Sequence, residues 1–105
     1  MALPKQVIRS VQTQLDVQEA LAYFQLEAPH AVDAFVNALE RAVLHIQRAP
    51  GTGSPRYAIE LDMPGLRFWL LSKFPYGLFY LEQDVQLLVI RLIHMVRDIP
   101  ASLQA

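Results

Sequence analysis

The run LFYLEQDVQLLVIRLIH, residues 78–94, decides the fold. Leu78, Phe79, Tyr80 and Leu81 make one apolar strand signal, and Glu82, Gln83 and Asp84 make a polar hairpin tip. From Val85 to His94 the chain is almost continuously apolar, on both side-chain parities. A strand with one wet face alternates; a strand apolar on both parities is covered on both faces and sits centrally in a sheet. Upstream, Pro75, Tyr76 and Gly77 give a turn signal. Before them Leu66, Phe68 and Leu70 alternate with Arg67, Trp69 and Leu71, a third strand with period two. On that parity Arg67, Trp69, Leu71 and Lys73 share one face.

Working outward, the first half has a different period. Val17, Ala20, Leu21 and Phe24 recur at i, i+3, i+4 and i+7, one face of a helix. Asp16 and Glu19 carry the spacing of a capping box at its start. Pro29 suits the first turn of a second helix, whose apolar side reads Val32, Phe35, Val36, Leu39, Val43 and Ile46 before Pro50 and Gly51 stop it. Few residues separate the helices, so an antiparallel hairpin is expected. Val7 and Ile8 mark a short strand at residues 5–9, and residues 56–61 read equally as a short strand or an irregular lead-in. The expected fold is α+β: an N-terminal strand and a two-helix antiparallel hairpin packed on an antiparallel sheet of about four strands. Residues 1–105 form a single domain. The loop at residues 49–55 lies within it.

Composition narrows the chemistry. Of 105 residues, 53% are hydrophobic, a surplus that a partner would cover. The net charge is −1 and the pI about 6.3, without the basic excess that phosphate-gripping proteins carry. Lys and Arg are spread evenly, four in residues 1–55 and five in residues 56–105. There is no cysteine, hence no thiol nucleophile or thiolate metal site. No His/Asp/Glu group has metal spacing, and no Gly-rich phosphate loop or nucleophile elbow is present. No cofactor is expected. The opening residues lack a signal peptide's apolar core and no run approaches membrane-spanning length, so a cytoplasmic protein is expected.

Five segments in order resemble the RelE/ParE superfamily of toxins, often labelled plasmid stabilisation proteins. Ser10, Thr13, Asp16 and Val17, followed by Tyr23, are similar to the family's S-x-x-A-x-x-D-L stretch, with Thr13 in place of Ala. Ile46, Pro50 and Gly53 match an L-x-x-x-P-x-x-G helix exit. Gly65, Leu66 and Arg67 match a strand start. Phe74, Pro75, Tyr76, Gly77, Leu78, Phe79 and Tyr80 resemble F-P-Y-x-I-F-Y. His94, Arg97 and Asp98 resemble a terminal H-x-x-R-D. The resemblance implies the toxin of a type II toxin–antitoxin module. Its partner would be a cognate antitoxin whose C-terminal segment wraps the toxin in a hetero-oligomer, which can include a toxin dimer.

The superfamily has two mechanisms. Its RelE-like branch cleaves mRNA on the ribosome and needs cations around a phosphate on which charge develops. Where that branch carries a strand Lys, an Arg after the Tyr and a further basic residue, this chain has Leu70, Gly77 and Val96; a slip of one or two residues brings Lys73 or Arg97 into those positions. The ParE-like branch inhibits DNA gyrase and needs no chemistry of its own. The second is the expected mechanism, so no catalytic residue is assigned and strong direct nucleic-acid binding is not expected. A ribosome-dependent endoribonuclease and a non-toxic antitoxin-binding module are the alternatives. The expected surface for target or antitoxin is Arg67, Lys73, His94, Arg97 and Asp98. Each has a plainer reading: a solvated sheet face for Arg67 and Lys73, a hydrogen-bonded strand end for His94, a mutual pair or cap for Arg97 and Asp98. Tyr76 and Tyr80 read as packing residues. His30 is a helix residue without a metal partner, and His45 belongs to a solvated face with Arg41 and Arg48.

Overall fold

The computed structural model describes residues 4–96. Its elements run β1 (Gln6–Arg9), α1 (Val11–Glu27), α2 (Val32–Arg48), α3 (Arg56–Glu60), β2 (Leu66–Leu70), β3 (Tyr76–Glu82) and β4 (Gln86–His94). Single 3₁₀ turns at Pro29–Ala31 and Pro50–Thr52 follow α1 and α2, each opening on a proline. The sheet order is β1-β4-β3-β2, so the apolar run of β4 is indeed central. β2, β3 and β4 are antiparallel neighbours. β1 pairs parallel with β4, Gln6 opposite Gln86 and Arg9 opposite Val89, and the four-stranded sheet is therefore mixed. A parallel neighbour needs a crossover, and the helical hairpin that follows β1 lies within the long connection between the two strands.

Two faces of the sheet carry two cores. Leu78, Tyr80, Leu87, Val89 and Leu92 meet Ala20, Phe24, Phe35, Leu39 and Ile46 of the hairpin. Leu66, Phe79 and Ile93 lie on the other face with Tyr57 of α3. The residues that left two readings open, 56–61, are thus mostly helix, because Tyr57 and Ala58 must turn onto the second core. The hairpin turn falls at residues 72–75, one step before the expected place, and Tyr76 and Gly77 already belong to β3. Gly65, at φ 85, makes the left-handed turn into β2.

Helix α1 begins five residues before the expected capping box. Ser10 is its N-cap, extended at φ −65 and ψ 160, and its Oγ accepts from the Thr13 N–H at 3.0 Å. Asp16 lies inside the helix and is buried. The capping-box reading fails because Asp16 lies within α1, not at its end, and its carboxylate is turned onto Arg91 and the Leu92 N–H of β4.

Candidate functional site

β4 bulges where Phe79 and Tyr80 change register: Phe79 stands opposite Arg91 and Tyr80 opposite Val89. A bulge strands backbone groups, and the start of α1 takes them up. The carbonyl of Val89 accepts from the Ser10 N–H at 2.9 Å and from the Thr13 hydroxyl at 3.0 Å. The carbonyl of Ile90 accepts from the Ser10 hydroxyl at 2.9 Å. The N–H of Leu92 donates to Asp16 Oδ2 at 3.0 Å. The bulge also turns Arg91 onto α1, where Nε and Nη2 reach the two Asp16 oxygens at 2.8 and 3.1 Å. Gln12 Nε2 donates to Asp16 Oδ1 at 3.0 Å. The Ser10, Thr13, Asp16 spacing is the imprint of this clasp. The sequence reading missed Arg91, although an Arg inside a strand covered on both faces requires a nearby carboxylate.

Beyond the clasp, β4 ends at His94 opposite Tyr76, with the two rings edge to face at 5.2 Å. His94 Nδ1 accepts from the Val96 N–H at 3.3 Å, which leaves the proton of the neutral ring on Nε2. The pair borders a cleft of about 320 Å³ lined by Tyr23, Phe24, Phe74, Pro75, Tyr76 and His94. Phe24 and Phe74 meet edge to face at 5.5 Å. None of these six side chains carries a carboxylate, ammonium or guanidinium. Leu70 and Gly77 face each other in the register of β2 and β3, and Gly77 faces Ile93. This end of the sheet therefore presents rings and aliphatic groups.

The other expected site residues do not gather there. β2 stops at Leu70, and Lys73 lies in the turn, exposed, at φ 68. The shared face with Arg67 is lost because the chain has left the strand. Arg67 is half-buried on the helix side and donates from Nη1 to the Gly53 carbonyl at 2.7 Å. Its strand neighbour on that side, Trp69, stacks on His45 at 3.8 Å and 18°. His45 also bonds Thr52 Oγ1 at 2.8 Å, so this ring is half-buried rather than solvated, while Arg41 and Arg48 beside it are exposed as expected. Arg97 and Asp98 lie outside the described residues.

Arg67 belongs to a second polar knot. The Tyr80 hydroxyl donates to the Pro50 carbonyl at 2.6 Å and accepts from the Gly53 N–H at 3.1 Å. Burial pushes the Tyr80 phenol above its usual 10.0, against smaller lowering by the Gly53 bond and by Arg67. A Cβ on Gly53 would stand 2.2 Å from the Tyr80 hydroxyl, so the family's helix-exit glycine is the one residue that lets the loop close on Tyr80. Both Tyr76 and Tyr80 are buried, as the packing reading expects.

Among the described residues no group of His, Asp or Glu could hold a metal ion, and no helix is long and apolar enough to cross a membrane. No curated protein matches the chain. The fold matches a solved chain described as "Chromosomal ParDE TA system from P. aeruginosa" with a TM-score of 0.70, at 16% identity, over 86% of this chain and 95% of that one. The family model for the ParE toxin of the type II toxin–antitoxin system parDE matches residues 7–99. That match takes in α1, α2, the clasp on β4 and the His94 cleft, and the chain belongs to the ParE toxin family within the RelE/ParE superfamily.

Proposed function

We propose that this type II toxin inhibits DNA gyrase by binding it, without bond-making of its own, and that a cognate antitoxin neutralises it by folding onto its surface. The observation that carries this reading is the sheet end around His94. Stabilising a developing phosphorane charge takes preorganised donors and cations. Leu70 and Gly77 meet there instead, beside a cleft walled by rings. Such a surface supports protein contact. His94 and exposed Lys73 lie on the segments that flank this end, and together with Arg67, Arg97 and Asp98 they are the proposed functional residues. The site of action is the cytoplasm, with gyrase.

The test is a supercoiling and cleavage assay with purified gyrase and toxin, with and without antitoxin. Cleaved DNA should accumulate, and antitoxin should abolish it. An inert, folded toxin in this assay that cleaves mRNA on translating ribosomes would replace the gyrase reading with the nuclease one. Failure in both assays, with antitoxin binding intact, would leave a non-toxic binding module.

A further inference from the structure

The cleft beside His94 is walled by rings and bordered by negative charge. Tyr23 and Phe24 meet at 77°, and Phe24 and Phe74 at 79°, with Tyr76 beside them. The faces of such rings are negative. Tyr23 is 55% exposed although it lines the cleft, so its ring stands at the mouth rather than in the core. Glu27 is the last residue of α1. At about 100° per residue it points between Tyr23 and Phe24, about 40° from the first and 60° from the second. Neighbours three and four apart on a helix lie about 5–6 Å from each other at Cβ, so the carboxylate is within reach of the mouth. It is exposed. The ion pairs among the described residues are Lys5 with Glu82 and Arg91 with Asp16, and Glu27 belongs to neither. No basic residue lies in the last turn of α1, so nothing there offsets the negative end of the helix dipole.

We infer that the cleft is an aromatic cage for a cation, and that its guest is an arginine side chain of the target protein; this rests on the target reading above. Ring faces, the Glu27 carboxylate and the end of α1 all favour positive charge. A guanidinium is planar and weakly hydrated, stacks on rings and keeps its edge donors for a carboxylate. A neutral apolar guest would touch the rings but leave Glu27 unanswered, and a phosphate or carboxylate would be repelled. The volume of about 320 Å³ is at the low end of the roughly 300–1,000 Å³ of ligand clefts, room for one side-chain head rather than a helix. Lys73, one residue before Phe74, opposes the guest. It is exposed, so water and salt screen its charge over about 8 Å, whereas a guest inside the cleft is partly desolvated.

The test titrates the full-length toxin with N-acetylargininamide and with its uncharged isostere N-acetylcitrullinamide, followed by amide NMR shifts at pH 8, where an ordinary imidazole is neutral. The arginine probe should move the signals of Phe74, Tyr76 and His94 and bind about tenfold more tightly than the citrulline probe. Tyr23→Leu should weaken it by about fivefold, and Glu27→Gln by about threefold. Both positions are exposed, so circular dichroism and the unfolding midpoint should match the parent. Equal affinity for the two probes, or shifts elsewhere only, would overturn the cage while leaving the gyrase reading intact. In the supercoiling and cleavage assay both variants should require several-fold more toxin for the same cleavage. Parent-like inhibition by both would overturn the target's arginine as the guest, and a matching loss of antitoxin affinity would assign the guest to the antitoxin. A parent toxin inert toward gyrase would remove the target reading and this guest with it, whereas the probe preference is measured on the toxin alone and decides the cage by itself.

Discussion

β4 touches α1 in two places, and opposite physics holds each. From Val89 to Leu92 the contact is polar and closed: the groups that the bulge strands are met by Ser10, Thr13 or Asp16, and no buried side-chain nitrogen or oxygen among the described residues lacks a partner. At His94 the contact is made of rings around open space. A fully satisfied polar network fixes one geometry, because any shift leaves a desolvated group unpaired. Rings that meet edge to face tolerate small displacements. The first region is scaffold and the second is available to a partner.

The sharpest way to break this division is Asp16→Ala. It leaves the Arg91 guanidinium and the Leu92 N–H without their carboxylate at a site where Asp16's side chain is 6% exposed and Arg91's 21%. Removing one member of such a pair typically costs about 3–5 kcal/mol. Urea denaturation should show that loss, whereas Asp16→Leu with Arg91→Met should recover much of it, since an apolar pair of similar volume leaves no charge stranded. His94→Ala should cost much less, about 1 kcal/mol, as for an ordinary substitution beside open space, while impairing gyrase inhibition. The reverse order of stabilities would make His94 the scaffold and end the comparison.

The two regions also differ in how far the sequence announced them. The cleft's Tyr76 and His94 stand out because the chain pattern places a ring and an imidazole at strand ends. Strand β4, the helical hairpin and the loop at Pro50 follow from period and punctuation alone. The clasp does not. Asp16 and Arg91 are 75 positions apart, and what joins them is a bulge, one extra residue that no periodicity displays. Without the bulge, Asp16 and Glu19 look like a cap, and the true cap, Ser10, is hidden behind it. The parallel pairing of β1 was hidden for the same reason: four residues, Gln6–Arg9, show that a strand exists and say nothing of its direction. Lys73 was misplaced by counting strand parity through a turn.

The Tyr80 knot is a second closed region, and Gly53 tests how tightly it is closed. Gly53→Ala forces a methyl against the Tyr80 hydroxyl and should cost about 1–3 kcal/mol, as overpacking does. Tyr80→Phe unpairs the Pro50 carbonyl and the Gly53 N–H and should cost about 1–3 kcal/mol by itself. Because both changes act on one contact, the double variant should lose less than the two losses added. The phenol also predicts a pH dependence. Its folded pKa is raised above 10.0, so from about pH 10 upward the unfolded chain releases this proton while the folded one keeps it. Stability should fall with rising pH from there to the folded pKa, and that slope should vanish in Tyr80→Phe.

The smallest expected effect sharpens the comparison at the open end. Lys73 holds φ 68 in the turn that leads into the cleft's Phe74 and Pro75. A side chain in this left-handed region is strained by about 1–2 kcal/mol relative to glycine, and glycine returns about 0.5–1 kcal/mol of that through the entropy of the unfolded chain. Lys73→Gly should therefore leave stability unchanged or raise it by up to about 1 kcal/mol in a urea titration. Strain kept at an exposed lysine is a reason to look for function there. If Lys73 contributes its charge to target binding, the glycine variant gains stability and loses gyrase inhibition together. If inhibition survives unchanged, Lys73 only shapes the turn, and the binding surface at this end contracts to His94 and the rings around it.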